Sequence, residues 1–302
     1  MGAVSDSGPR SVSIATIRDA GREQPVFVDP NRGTIAAQAV YPDFTGDARD
    51  LISLDMELNL RKRVAALPDQ RLHPLSTRRF TAPYRHPRKI WGIGLNYLDH
   101  AQDLGELVPD EPASFIKADH TIIGADDPIV LPEQSERVTV EAELGLIIGR
   151  EARCVSEAEA LDYVWGVCTI LDQTAEDILQ RNPRFLTRAK NFPTFFSFGP
   201  YLVPLEDVVD DQGGIGHLVV RTVVGPDAVR ENRVANMRFS PEYLVSFHSQ
   251  MMPLFPGDII SSGTPGALVV APGDVAECDI PGVGVLRNPV IAQEAGGPRI
   301  KS

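Results

Sequence analysis

One strand-like run constrains this chain more than any other segment: Arg137-Val-Thr-Val-Glu-Ala-Glu-Leu-Gly-Leu-Ile-Ile148. Positions 138, 140, 142, 144, 146 and 148 are all apolar, the period of a strand that buries one face. Glu141 and Glu143 then share the opposite face, and like charges so close repel unless something positive lies between them. An ordinary solvated strand face is the plainer reading. A second apolar run, Val164-Trp-Gly-Val-Cys-Thr-Ile-Leu171, weighs against it because it ends on Asp172. An acid just past a buried strand is well placed to face a site. Three carboxylates are the oxygen donors that Mg2+, Mn2+ or Ca2+ prefer, so a hard divalent cation is expected among Glu141, Glu143 and Asp172.

The rest of the composition narrows the partners. At 302 residues the chain is one large domain or one with a small appendage, and 43% hydrophobic residues suffice for a sizeable core. Its net charge is -12 with no basic stripe, which disfavours nucleic acid and anionic membrane surfaces. An anionic substrate would need local positive charge from a metal or a placed Lys or Arg. Cys154, Cys168 and Cys278 are scattered and lack metal-ligand spacing, as expected of reduced thiols in a reducing compartment. No apolar stretch is long enough to span a bilayer and no basic-then-apolar leader opens the chain, so a cytoplasmic location is expected.

Residues 1–10 read as a disordered start. Residues 11–85 read as a small N-terminal α+β domain. It has β-like pieces at 11–17 and 25–28 and a mostly helical stretch over 47–66, with Leu51, Leu54, Leu58 and Val64 at helical spacing. Prolines at 68, 74, 83 and 87 mark a linker, with the cut near residue 85. Residues 86–295 read as a metal-binding catalytic domain of short apolar strands split by Gly and Pro, at 89–94, 113–117, 129–131, 258–261 and 275–280 besides the two runs above. Ser156-Glu-Ala-Glu159 is a capping box opening a short helix. Thr174 and Ser240 are further N-cap candidates, the latter followed by Pro241. The pattern is strand-rich α+β without regular βαβ alternation. Gly92-Ile-Gly94 lacks the third glycine of a dinucleotide fingerprint, which leaves a nicotinamide dehydrogenase poorly supported.

Eight segments together carry a resemblance: Gly94-Leu-Asn-Tyr-Leu-Asp-His100, Phe115-Ile-Lys117, Val140-Glu-Ala-Glu-Leu144, Leu171-Asp172, Arg188-Ala-Lys190, Gly199-Pro-Tyr-Leu-Val203, the stretch Pro256-Gly-Asp-Ile-Ile-Ser-Ser-Gly-Thr-Pro-Gly266, and Gly284-Val-Leu-Arg-Asn-Pro289. Their order resembles that of fumarylacetoacetate hydrolase family enzymes over roughly residues 88–291. The resemblance implies a mixed β-roll, a homodimer, and one Mg2+ or Mn2+ held by Glu141, Glu143 and Asp172. Members act on 2-oxo or 1,3-dicarbonyl acids. They hydrolyse C–C bonds in acylpyruvates, decarboxylate oxaloacetate-like acids, or isomerise and hydrate dienoates from aromatic breakdown.

The residue types suit such chemistry. Breaking a β-dicarbonyl leaves an enolate, which needs a Lewis acid on the oxygen that gains charge. The resemblance places Lys190 where it could hold that oxyanion or protonate it, with a surface lysine as the alternative. Lys117 follows the apolar Phe-Ile and is expected at the pocket rim or on the surface. Gly263 and Thr264 match the turn that holds the substrate carboxylate, unless Thr264 is a simple turn residue. His100 is the expected general base, oriented by Asp103 three residues on, with Glu106 as a substitute. Hydrolytic members usually carry glutamate where Asp103 stands, one methylene longer. Two further departures concern the substrate. Thr174-Ala-Glu-Asp177 places Glu176 where relatives commonly have arginine, which predicts poorer handling of dicarboxylates. Asn191-Phe-Pro193 replaces a common Ser-Phe-Asp. The expected activity is cleavage of an acylpyruvate-like 2,4-dioxo acid. A decarboxylase, an isomerase/hydratase or a catalytically silent binding relative stand as alternatives.

Overall fold

A computed structural model describes residues 8–97 and 110–293. Among them are β1 (Ser13–Asp19), β2 (Arg22–Asp29), β3 (Gly33–Ala36), β4 (Phe80–Thr81), β5 (Ile90–Gly94), β6 (Ala113–Lys117), β7 (Ile122–Ile123), β8 (Ile129–Leu131) and β9 (Val138–Ile148). There follow β10 (Val164–Ala175), β11 (Phe196–Phe198), β12 (Tyr201–Pro204), β13 (Val219–Val224), β14 (Ala228–Arg233), β15 (Ile259–Ser261), β16 (Ala267–Val270), β17 (Val275–Ile280) and β18 (Gly284–Ala292). Thirteen of these form one mixed sheet whose main path is β3-β2-β1-β12-β10-β9-β15-β5-β6. The other five form a second sheet, β14-β13-β17-β18-β8. The architecture is strand-rich α+β, as the sequence predicts.

β9 and β10 are the spine. They pair antiparallel with Glu141 opposite Asp172 and Glu143 opposite Ile170. The far edge of β9 is shared: β15 pairs its residues 145–147 and β16 its residues 138–141, so the turn between those strands crosses at the level of Glu143. The apolar row from Val138 to Ile148 enters the main core with Val220, Leu244 and Leu286. The opposite face is not solvated. Ile147, Cys168 and Ile170 enter a second core with Leu51, Ile52 and Leu60 of the N-terminal helices. Gly145 makes room for this, because a Cβ there would sit 2.5 Å from Ile170 Cδ1 and 2.6 Å from Cys168 Sγ. Farther along the same face the apolar residues give way to the three acids.

The segment before residue 85 extends the same sheet, since Ile14 of β1 pairs with Leu202 of β12. Its helical stretch divides into Ala48–Leu58 and Leu60–Ala65 at Asn59, whose φ of 50° is left-handed. Asp47 and Asp50 form a capping box at its start. Buried Asp55 accepts from Arg61 Nε at 2.5 Å and from Trp165 Nε1 at 3.3 Å, tying these helices to β10. Ser240 caps helix Pro241–Met251, its Oγ accepting from Tyr243 N at 3.1 Å. Two expected caps differ. Ser156 Oγ donates to the Glu159 carboxylate at 2.6 Å instead of capping backbone, and a 3-10 helix, Glu157–Tyr163, follows. Thr174 lies inside β10, which runs on through Ala175. Among the described residues no helix is long and apolar enough to cross a membrane.

Candidate active site

The strand pair delivers the three acids to one place. Glu141, Glu143 and Asp172 each offer a carboxylate oxygen within 4.8 Å of the other two. Asp172 lies within β10 and not past its end, because the polar residues that close the strand face a polar cluster. Thr174 Oγ1 donates to Glu141 Oε1 at 2.5 Å. Glu143 and Asp172 are buried, and Glu141 is partly open.

Two lysines complete the cluster. Lys190, at the end of the short helix Leu186–Lys190, donates from Nζ to Asp172 Oδ2 at 2.7 Å and to Glu141 Oε2 at 2.9 Å. It is not a surface lysine. Lys117 is not at the rim: only 2% exposed, it donates from Nζ to Asp172 Oδ1 and, at 2.5 Å, to the Lys190 carbonyl. It braces Asp172 from a fully enclosed position, whereas the Lys190 side chain is slightly exposed. The ring of Phe115 lies 5.1 Å from Lys190 Nζ.

Glu143 is held by one residue the sequence did not mark, Ser261, and by one it placed elsewhere, Gly263. Ser261 Oγ donates to its Oε2 at 2.5 Å and the Gly263 amide donates to the same oxygen at 2.9 Å. Gly263, expected in the turn that holds the substrate carboxylate, turns its amide to Glu143. Thr264 Oγ1 closes its own turn, donating to Gly266 O and accepting from Gly266 N, each at 3.2 Å. Ser261 had no distinguishing signal, since only the pairing of β15 with Gly145 brings it to Glu143. His100, Asp103 and Glu106 lie outside the described residues.

The two substrate-related departures have partners of their own. Glu176 accepts from Arg137 Nε and, at 3.2 Å, from Gln180 Nε2. Asn191 Oδ1 accepts from Ala118 N at 2.7 Å and its Nδ2 donates to Ile116 O at 3.3 Å, fastening the helix that carries Lys190 to the edge of β6.

Three carboxylates face two ammonium groups, so the fully ionised cluster is short of positive charge. Glu143 registers the deficit: burial first, then the Asp172 and Glu141 charges, outweigh Lys190 and Ser261 and push its carboxyl up to about 8. For Lys190 burial opposes the charged form, but Asp172, Glu141 and Glu143 outweigh it and hold the ammonium well above its ordinary value. Burial and the neighbouring Lys190 lower Lys117 in spite of Asp172. A largely buried oxygen cluster in which the Glu143 carboxyl is pushed toward its protonated form for want of cations fits a hard divalent metal.

Three comparisons bear on this site. The family model described as fumarylacetoacetate (FAA) hydrolase C-terminal matches residues 89–291. The chain is 36% identical over 219 residues to the oxaloacetate tautomerase fahd2, mitochondrial, of Xenopus laevis, covering 70% of this chain and 67% of that protein. It is 38% identical over 217 residues to the 4-hydroxyphenylacetate degradation bifunctional isomerase/decarboxylase of Salmonella dublin, covering 72% of this chain but only 50% of that protein. Among solved structures, the fumarylacetoacetate hydrolase from psychrophilic Exiguobacterium antarcticum superposes with a TM-score of 0.78 at 27% identity, over 94% of this chain and 100% of that one.

Proposed function

The chain belongs to the fumarylacetoacetate hydrolase family, and from that premise we propose that it is a divalent-metal-dependent enzyme that carries a 2-oxo acid through an enolate. One observation carries the proposal: a largely buried Glu-Glu-Asp cluster, short of positive charge, with the Lys190 ammonium bonded to two of its three acids. Glu141, Glu143 and Asp172 would hold Mg2+ or Mn2+, which when bound supplies Lewis acidity to substrate oxygens that gain charge. Lys190 presents N–H groups where that charge develops and can return a proton to the product. Lys117 keeps Asp172 and the Lys190 backbone in place. Thr174, Ser261 and Gly263 orient the carboxylates.

In the hydrolytic reading the substrate is an acylpyruvate-like 2,4-dioxo acid. His100 and Asp103 would serve as general base and its partner in this reading: water gives up a proton, and the resulting hydroxide adds to the distal carbonyl. The adjoining C–C bond breaks, its electron pair stays with the three-carbon fragment as an enolate, and protonation gives pyruvate beside a second acid. A second reading retains the enolate and omits the hydrolytic water: tautomerisation or decarboxylation of an oxaloacetate-like acid, or isomerisation of a 2-hydroxy-dienoate. The activities for which the Xenopus and Salmonella relatives are named favour it. The reading includes a cytoplasmic homodimer, and light scattering tests the dimer.

A product-resolved assay separates the two readings. Purified protein with Mn2+ or Mg2+ is offered acetylpyruvate, a longer acylpyruvate and oxaloacetate, with and without EDTA. Two acids from an acylpyruvate, abolished by EDTA, support hydrolysis. Enol–keto exchange or CO2 from oxaloacetate alone supports the second reading. Turnover of either kind undiminished in EDTA contradicts both.

A further inference from the structure

The peptide that joins Ser262 to Gly263 lies between Glu143 and a side chain without a role so far, Asn96. Its N–H donates to Glu143 Oε2 at 2.9 Å, and its carbonyl, Ser262 O, accepts from Asn96 Nδ2 at 2.7 Å. This bond is trans, since the one cis peptide among the described residues is Gly199-Pro200. In a planar trans peptide the C=O and N–H point in opposite directions, so a group that fixes the carbonyl on one side aims the N–H at the other.

The surroundings make Asn96 the group that decides this orientation. Ser262 is anchored upstream, because its N–H and Oγ both donate to Leu144 O, at 3.1 and 2.7 Å. Gly263 has φ of +100°, and glycine accepts either orientation of the peptide before it. A rotation of that plane would turn Ser262 O toward the Glu143 carboxylate, oxygen against oxygen. Only glycine lets Asn96 come so near, since a Cβ on residue 263 would lie 2.7 Å from Asn96 Cβ. Asn96 is itself immobilised. It is fully buried, its Nδ2 also donates to Phe239 O at 3.0 Å, and its Oδ1 accepts from Phe239 N at 2.8 Å. Its backbone carbonyl accepts from Arg238 N at 2.7 Å.

We propose that Asn96 is a positioning residue for the cation site: it locks the Ser262–Gly263 peptide with its N–H toward Glu143 and so holds that carboxylate in its ligand orientation. The proposal rests on the reading of Glu141, Glu143 and Asp172 as metal ligands. Its test uses the full chain carrying Asn96→Ala or the milder Asn96→Ser. Mn2+ binding is followed through the spin resonance of the free ion, with thermal unfolding measured in parallel. Asn288→Ala is the control. Asn288 is another fully buried asparagine whose Nδ2 donates to two carbonyls, Gly124 O at 2.7 Å and Asp127 O at 2.8 Å, but it makes no bond to the acids or their anchors.

Both Asn96 variants are expected to raise the Mn2+ dissociation constant by about tenfold, as loss of the Gly263 N–H bond to the Glu143 carboxylate implies. Asn288→Ala is expected to lower the Tm and leave the dissociation constant unchanged. Folded Asn96 variants that bind Mn2+ like the wild type overturn the proposal. Wild-type protein that binds no Mn2+ overturns instead the metal reading beneath it. Should neither Asn96 variant fold, hydrogen exchange of the wild-type Gly263 amide decides: protection supports the lock, and fast exchange overturns it.

Discussion

Glu143 is the acid on which the charge imbalance of the site is felt, through burial and the neighbouring Asp172 and Glu141 charges. An acid held near 8 when its ordinary value is 4.5 keeps its proton in the folded chain and loses it in the unfolded one between those limits. The folded state therefore binds more protons there, and stability of the metal-free protein falls as pH rises through that window. In EDTA, the Tm of wild type is expected to decline from about pH 4.5 to about 8 more steeply than that of Glu143→Gln. Equal slopes would contradict the assignment. The lysines should divide their labour. Lys117 is fully buried between Asp172 and the Lys190 carbonyl, so Lys117→Met should cost about 3–5 kcal/mol, read from urea unfolding, by leaving a buried charge short of its partner. Lys190→Met should lower kcat by about 100-fold, the order expected when a donor to a developing oxyanion is lost. A Lys190→Met enzyme with normal kcat would remove that residue from the chemistry.

At the scale of elements, the site is one end of a strand pair whose other end is hydrophobic core. Gly145 lies at the changeover, with Ile170 and Cys168 folded over it, so Gly145→Val should overpack that face and cost about 1–3 kcal/mol in chemical unfolding. A neutral effect would mean that the two strands do not face each other as paired. The period-two pattern of β9 made Glu141 and Glu143 legible, since alternation alone places them together. The end of β10 was not legible. Asp172 and Thr174 read as the close of a strand and a helix cap, because their polarity suits a loop. In the fold Asp172 and Thr174 meet Lys117, Lys190 and Glu141, and the strand continues. Lys117 was misplaced for the same reason: an ammonium belongs at a rim unless buried acids await it, and those acids come from strands far off in sequence. Ser261 and Asn96 act through backbone and side-chain contacts that no local pattern records.

At the scale of the whole molecule, residues 8–85 and the family domain share one sheet and one of the cores. That sharing depends on the pairing of β1 with β12, which neither strand's own pattern signals. Asp55 is the polar tie across it, so Asp55→Ala, which strands Arg61 and the Trp165 indole, should destabilise the entire chain in one transition. Separate melting of an N-terminal unit would contradict the shared core. A bound cation should act on the whole molecule too, raising stability by about 2.7 kcal/mol at one hundred times its dissociation constant. The most direct measurement is Mn2+ stoichiometry of the EDTA-stripped protein, by equilibrium dialysis, for wild type and Asp172→Asn. The account predicts one ion per wild-type chain, none held by the variant, and turnover restored only where the ion returns. A wild type that binds no ion, or a variant that binds it equally well, would contradict the claim that Glu141, Glu143 and Asp172 form the catalytic metal site.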